Sequence, residues 1–303
     1  MTRVTVVSAH GMDWVWRTGG TILKYVKAGA EVTVVCLSMG ERGESASAWA
    51  EPGQTAERVR AVRLGEAEKA AAVAGVELRT YDWGDYPMVI DDERRLEMVR
   101  LLRELRPDVV LTHGRRDPNN PDHVATAKVV EDAAIWARAH GRLPELPRFV
   151  VGQIHGYEPE FPEFCDFKPD TYIDISDVAD QKLEMMRCSQ VQEFMIDVYE
   201  QRARYRAIMA GLLLNKKVTH AEAFESFLPA AGTCSDDQPS DQPVHSRPRG
   251  PVRGPALGGV RRARRRDRPR VAGAQRAHGS GDQAAGGGVP RRRPRRHVPE
   301  PAR

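Results

Sequence analysis

The stretch "VTVVSAHGMDWVW", residues 4–16, decides the fold. Its first four residues are three valines and a threonine, and such a β-branched run predicts a buried strand. His10 and Asp13 follow, three residues apart, on what should be the opening turn of a helix. That spacing lets an imidazole and a carboxylate converge on one point, as in a metal site. The alternative is that His10 caps the sheet and Asp13 caps the helix.

Strand and helix patterns alternate from this stretch onward. Further strands are predicted over residues 31–37, 77–81, 108–112, 149–154 and 171–175. Helical patterns cover residues 19–27, 56–74, 91–105, 122–139 and 178–214, the last with a break near Cys188. The alternation predicts an α/β fold, a doubly wound, mostly parallel, Rossmann-like sheet with helices on both faces. Ligands of such sheets bind where the strand order reverses, which brings the loops after the first and fourth strands to one site.

The composition changes after Ala231. Residues 232–303 hold 17 Arg, no Lys and 6 acidic residues, a formal charge of +11, so the rest of the chain carries −7 of the total of +4. We predict a catalytic domain over residues 1–231 and a low-complexity, disordered tail over residues 232–303. The Arg-rich tail also resembles GC-rich DNA read in a shifted frame. Because the basic charge belongs to the tail, we expect no nucleic-acid partner for the core.

The cysteines and the hydropathy pattern point to a compartment. The four Cys are scattered and form no Cys-x-x-Cys pair, which favours reduced thiols over a disulfide framework. No apolar run approaches the roughly 18 residues that a membrane-spanning helix needs. We expect a cytoplasmic protein without a membrane partner.

The loop after the fourth predicted strand, "THGRRDPNNPDH" at residues 112–123, offers further metal-binding side chains. They are His113, Asp117, Asp122 and His123. Two imidazoles and one carboxylate would leave positions open for water or substrate, as in catalytic zinc sites. Asp122 has the chemistry to orient a ligand histidine, whereas His113 is equally compatible with a buried core histidine. The two loops together predict a zinc site.

Three strings in these regions resemble the LmbE-like (PIG-L) zinc-dependent de-N-acetylases. They are "VVSAHGMD" at residues 6–13, "GGT" at residues 19–21 and "PDH" at residues 121–123. The usual motifs of that family are Ala-His-Pro-Asp-Asp and, later in the chain, His-Pro-Asp-His. The resemblance extends over residues 3–230. It implies an LmbE-type fold, Zn²⁺ as cofactor, and His10, Asp13 and His123 as its ligands.

Two positions depart from the family motifs. The first Asp, the general base that activates water for amide hydrolysis, corresponds to Met12, and a thioether takes no proton near neutral pH. The first His of the second motif corresponds to Asn120. Amide hydrolysis needs a base for the water and a partner for the oxyanion. The chain is therefore either an impaired deacetylase or an enzyme of other chemistry on the same scaffold.

A narrower resemblance favours other chemistry. The strings "VVSAHGMDWVWRTGG", "VVCLSMGERGESA", "GDYPM" and "DPNNPDH" resemble the 4-oxalomesaconate hydratases of gallate and protocatechuate degradation, a branch of the same family. The resemblance implies a hydro-lyase that adds water to a conjugated C=C and yields 4-carboxy-4-hydroxy-2-oxoadipate. The alternative is a zinc-dependent de-N-acetylase of an N-acetyl amino-sugar conjugate.

A hydratase needs a base from another loop. "GERGES", residues 40–45, follows the second predicted strand at the same edge of the sheet and offers Glu41 and Glu44. We favour Glu44 as the catalytic base, with Glu41 close behind. The alternative is that either glutamate caps the next helix or pairs with Arg42.

A small anionic, tricarboxylate substrate also needs cations and hydrogen-bond donors. We predict that Arg17, Arg42, Tyr86 and Asn120 bind it, since Arg binds carboxylates through two parallel hydrogen bonds and Tyr86 lies in the string predicted to close the pocket. We further expect a homo-oligomer, with the helix over residues 178–214 in the core or at a subunit interface.

Overall fold

The computed structural model describes residues 1–228 of the chain. Seven strands within these residues form one sheet. They are β1 (Arg3–Ser8), β2 (Glu31–Cys36), β3 (Glu77–Thr80), β4 (Val109–Thr112), β5 (Gln153–Tyr157), β6 (Thr171–Asp174) and β7 (Ala221–Ser226).

Helices connect most of these strands. They are α1 (Asp13–Lys27), α2 (Ala46–Trp49), α3 (Ala56–Ala74), α4 (Asp92–Leu105), α5 (Pro121–Trp136), α6 (Ala179–Met186) and α7 (Met195–Leu214). None of the helices within residues 1–228 combines the length and the apolar character needed to cross a bilayer.

β1 lies inside the parallel part of the sheet, between β2 and β4. The full strand order is β3-β2-β1-β4-β5-β7-β6, and β7 runs antiparallel to both of its neighbours. Because the order reverses between β1 and β4, the loops that follow these two strands open side by side. The prediction of a doubly wound, mostly parallel α/β sheet is confirmed.

Alternate side chains of β1 supply the two faces of the sheet with their cores. Val4 and Val6 pack on one face, in a cluster with side chains of α1, α3, α6 and α7. Val7 packs on the opposite face, in a cluster with side chains of α4 and α5. This alternation follows from the two-residue period of a strand. Because β1 is buried on both faces, its position in the sheet is fixed. The loop that follows β1 therefore leaves the core at a fixed place.

Some predicted elements differ from the structure. α1 begins at Asp13 rather than at residue 19, because residues 13–18 are all buried, polar and apolar alike, so no helical spacing of apolar residues marks this part of the helix. β5 covers Gln153–Tyr157 rather than residues 149–154, in register with β4 from the pair Val109 and Gln153. β7 is absent from the prediction, because its sequence, "AEAFES", holds no β-branched residue.

The predicted helix over residues 178–214 is divided into α6 and α7, and a buried Arg explains the division. Arg63 of α3 is fully buried and donates to Glu66 (2.8 Å), to Gln192 (2.7 Å) and to Ser189. Glu66 in turn accepts backbone N–H groups from the same segment, those of Gln190 and Val191. Backbone groups that bond to a side chain of α3 are no longer available for a continuous helix.

The predicted domain boundary at residues 231 and 232 and the predicted disordered tail lie outside the described residues. The predicted homo-oligomer stays a prediction. α7 does expose Tyr205, Ile208 and Leu212 along one stripe.

We expect Arg63→Met to destabilise the protein by about 3–5 kcal/mol, because it leaves the Glu66 carboxylate buried without its cation. Urea unfolding measures the change. The matched control is Arg95→Met, which breaks the exposed pair with Asp92 and should cost less than about 1 kcal/mol. Equal losses for the two variants would show that the buried pair carries no special role.

Candidate metal centre and active site

The connection from β1 to α1 brings His10 and Asp13 together. The backbone N–H of His10 donates to Asp13 Oδ2 at 2.9 Å, and His10 Nδ1 lies 3.1 Å from the same oxygen. Both side chains are almost completely buried. The helix therefore starts with a carboxylate turned back toward the end of β1, and the predicted pair is formed.

The start of α5 brings in His123. Asn120 caps this helix, since its side-chain oxygen accepts the N–H groups of Asp122 and His123. His123 Nδ1 lies 2.8 Å from Asp117 Oδ2, which fixes the ring. Its Nε2 points at Asp13 Oδ2, 3.4 Å away, and is buried without a hydrogen-bond partner among the described residues. A buried imidazole nitrogen in this condition fits a metal ligand.

Glu44, from the loop between β2 and α2, reaches the same point. Its Oε1 lies 3.1 Å from His10 Nδ1 and 3.5 Å from His123 Nε2. One ligand atom from each of four residues lies within 4.8 Å of the other three: His10, Asp13, Glu44 and His123. Two imidazoles and two carboxylates make a donor set that fits Zn²⁺ or a similar divalent cation. Sequence reasoning gave Glu44 only the role of a base and not its place among these ligand atoms.

The electrostatics of the cluster favour a cation. Burial lowers the pKa of His10, but the carboxylates of Glu44 and Asp13 outweigh it and raise this pKa well above its usual value. Burial likewise lowers the pKa of His123, while Asp13 and the hydrogen bond that the ring donates to Asp117 raise it to about 9. The negative charge of these carboxylates stabilises a proton on the two imidazoles. The same negative charge would stabilise a divalent cation bound between them.

Two further carboxylates flank the other nitrogen of His10. Asp85 Oδ1 lies 3.3 Å and Asp122 Oδ2 3.5 Å from His10 Nε2. Asp122 also accepts the N–H groups of Tyr86 and Met88 at 2.9 Å, so it ties the loop after β3 to the start of α5. A carboxylate beside the second nitrogen orients a ligand histidine. The structure thus places Asp122 where that predicted role requires it.

Asp85 is the residue of the site that sequence reasoning missed in this role. Its Oδ2 accepts the backbone N–H groups of Arg42 and Gly43, so one carboxylate holds both the Glu44 loop and the His10 ring. In the sequence, Asp85 is marked by the "GDYPM" string, which indicates a loop. The string does not indicate the direction of the Asp85 side chain.

A cavity of about 280 Å³ opens onto Glu44 and His123. Polar lining comes from Ser47, Tyr86, Asp117, Asn119, Asn120, Glu160 and Gln192, and apolar lining from Ala46, Phe161, Val191, Phe194 and Met195. The ring of Tyr86 packs on Gly43 so closely that a Cβ at Gly43 would lie 2.2 Å from it. Position 43 therefore requires glycine for the close approach of the ring.

Other predicted site residues lie away from this cavity. Glu41 accepts the N–H of Met39 and lies 3.8 Å from Arg60, without a contact to the ligand cluster. Arg17 is buried behind Asp13, with its Nε 3.7 Å from Asp13 Oδ1, and donates to the carbonyl of Glu158. Arg42 is exposed at the surface. In residues 1–228, neither Arg nor Lys lines the cavity.

His113 lies beside the cluster as an acceptor. Its Nε2 accepts the N–H of Ala9 at 2.9 Å, and its ring stacks on that of His123 with centroids 4.0 Å apart. Burial, together with the charge of His123, lowers the pKa of His113 to about 3. It is therefore a neutral histidine that connects the ends of β4 and β1.

A buried cluster of imidazoles and carboxylates at the switch point of a doubly wound sheet is the arrangement of a metal-dependent enzyme. The family model for PIG-L, the GlcNAc-PI de-N-acetylases, matches residues 5–134. The 4-oxalmesaconate hydratase of Pseudomonas putida is 36% identical over 228 residues, which cover 74% of this chain and 88% of that protein. The chain belongs to the PIG-L family.

A solved hydratase structure and a deacetylase relative also match, and they differ in the chemistry that their names give. The crystal structure of the 4-carboxy-2-hydroxymuconate hydratase of Pseudomonas putida KT2440 matches with a TM-score of 0.75 and 34% identity, over 77% of this chain and 99% of that one. The diacetylchitobiose deacetylase of Thermococcus kodakarensis is 30% identical over 65% of this chain and 72% of that protein. The relatives are enzymes, and the 36% identity to the Pseudomonas hydratase supports a hydro-lyase.

We expect His123→Ala to abolish stoichiometric zinc binding, because it removes one imidazole of the cluster. The measurement is the metal content of protein loaded with zinc and then dialysed. His140→Ala, which removes an exposed histidine, is the control and should keep the metal. Retention of zinc by His123→Ala would refute its assignment as a ligand.

We expect His113 to make the protein less stable as the pH falls below 6.5. The unfolded chain takes up a proton at His113 near pH 6.5, whereas the folded chain does so only near pH 3. Between pH 3 and pH 6.5 the unfolded state therefore binds more protons than the folded state. The free energy of unfolding decreases as the pH falls through this range, and His113 does not change it above pH 6.5.

His113→Gln keeps an acceptor for the Ala9 N–H and removes this dependence. Urea unfolding in the presence of a chelator, at about pH 7.5 and about pH 5, should show a smaller loss for the variant than for the wild type. An equal loss would mean that His113 is protonated in the folded protein.

Proposed function

We propose that this chain is a zinc-dependent hydratase that adds water to the conjugated C=C of 4-oxalomesaconate and yields 4-carboxy-4-hydroxy-2-oxoadipate, in the degradation of gallate or protocatechuate. The observation that carries the proposal is the position of Glu44. It places a carboxylate beside His10 and His123, at the open side of the cluster and on the cavity wall. This position supports Glu44 as the base, although Met12 occupies the position of the usual base.

Met12 argues against the deacetylase alternative. It is fully buried and packs in the core of one sheet face, together with Met39. Its thioether has no proton to exchange, so the position of the usual base supplies no group that can activate water. Amide hydrolysis in this family would have to proceed with a different base.

The residues of the site divide the work of hydration. Zn²⁺ held by His10, Asp13 and His123 would supply a Lewis acid for the enolate oxygen that develops during the addition. Burial and Asp13 raise the pKa of Glu44, but His10 and His123 outweigh them and lower it well below its usual range. Glu44 is therefore ionised at neutral pH, which is the form that a general base requires.

The proposed addition forms one C–O bond and one C–H bond, and it breaks the π bond of the C=C and one O–H bond of water. The water oxygen bonds to C4 of the substrate while Glu44 takes a proton from that water. In the numbering of the adipate product, the electron pair of the C4=C5 bond moves toward the C6 carboxylate. A proton from solvent is then added at C5, and Glu44 gives up its own proton to solvent. Asp117 and Asp122 keep the rings of His123 and His10 in place throughout, because each carboxylate lies against a ring nitrogen.

The cavity defines how an anionic substrate would be held. Its polar lining offers neutral donors at Ser47, Asn119 and Gln192 and the hydroxyl of Tyr86. Glu44 and Asp117 on the same wall would repel a tricarboxylate, so its binding depends on a cation at the cluster. Arg17 contributes its charge through Asp13, 3.7 Å away, rather than through direct contact with the cavity.

The test is the loss of the conjugated absorbance of 4-oxalomesaconate on incubation with the zinc-loaded protein. We expect Glu44→Gln to reduce kcat by about 10²–10⁴, since it removes the general base. Glu41→Gln, the same change in the same loop, should leave kcat within about threefold, because Glu41 faces Arg60. Wild-type protein that leaves the absorbance unchanged but releases acetate from N,N'-diacetylchitobiose would establish the deacetylase instead.

A further inference from the structure

Asn120 connects the start of α5 to Glu44. Its Oδ1 accepts the N–H groups of Asp122 at 3.1 Å and His123 at 3.4 Å. Its Nδ2 donates to Glu44 Oε1 at 2.9 Å. One side chain therefore completes the cap of the helix that carries His123 and also holds the carboxylate that faces it.

The two ends of this amide are not interchangeable. Because Oδ1 faces two backbone donors, the amide must turn its NH₂ toward Glu44, and a carboxylate there can only accept. A serine at position 120 would keep a cap acceptor but is too short to reach Glu44. An aspartate would keep the cap but would place a second carboxylate against Glu44.

The other polar neighbours of Glu44 belong to the metal site. His10 Nδ1 and His123 Nε2 are the imidazole atoms nearest its Oε1, and both are part of the ligand cluster. An imidazole nitrogen that ligates a cation cannot also donate a hydrogen bond. The Asn120 amide is thus a donor to Glu44 that metal binding does not remove.

We propose that Asn120 is a positioning residue, which holds the Glu44 carboxylate in its orientation on the cavity wall rather than binding the substrate. This inference rests on the proposed function, in which Glu44 is the base. The family motif has a histidine at this position. In this chain the position would instead serve to orient the base.

Kinetics of Asn120→Ser test the inference. We expect kcat to fall about tenfold or more with KM within about threefold, because the variant loses a hydrogen bond to a charged group but not the cap. Zinc content and thermal stability should match the wild type. Asp91→Ser is the matched control, since Asp91 caps α4 through the N–H of Arg94, and its kcat should be unchanged. A rise in KM with unchanged kcat would show that Asn120 binds substrate instead.

The double variant identifies the residue through which Asn120 acts. In a Glu44→Gln background, Asn120→Ser should reduce kcat by less than about twofold, since the two residues act as one unit. A further tenfold loss in that background would overturn the inference.

A spectroscopic measurement keeps the inference testable if the proposed function fails. With Co²⁺ in place of zinc, Asn120→Ser should shift the visible absorption bands in the same direction as Glu44→Gln. The first variant lets the carboxylate move away from the cluster, and the second replaces it with a neutral amide. Bands identical to those of the wild type would overturn the positioning role, whatever the substrate of the enzyme is.

Discussion

The burial of several carboxylates around two imidazoles, those of His10 and His123, is the constraint on which this site depends. Asp13, Glu44, Asp85, Asp117 and Asp122 all point inward, and each is held by an imidazole, a backbone N–H or an amide. Buried charges are tolerated only when they are paired in this way. The loops that carry them are therefore fixed relative to one another by the site as much as by the sheet.

The sequence predicts the frame of this arrangement well. α3 covers the predicted residues 56–74, and His10, Asp13 and His123 meet as the switch-point rule requires. These predictions succeed because strand periodicity and the end of a strand are local properties. β7 and the division between α6 and α7 depend instead on distant partners, Lys182 with Glu222 and Arg63 with Gln192, which no local pattern shows.

The directions in which the loop side chains point could not be predicted from the sequence. Glu41 and Glu44 lie three residues apart in one loop, yet only Glu44 turns to the cluster, since Asp85 and Gly43 set the path of the backbone between them. Arg17 and Arg42 stand next to metal-site motifs, but one is buried behind Asp13 and the other faces solvent. Their predicted contact with substrate stays a prediction.

The four residues of the cluster come from positions 10, 13, 44 and 123, so the site is assembled from contacts that are distant along the chain. During synthesis His10 and Asp13 emerge long before His123, and two ligands alone do not retain zinc. Binding of a metal at this cluster would therefore follow the pairing of β1 with β4, so only chains with a formed sheet would hold the cation.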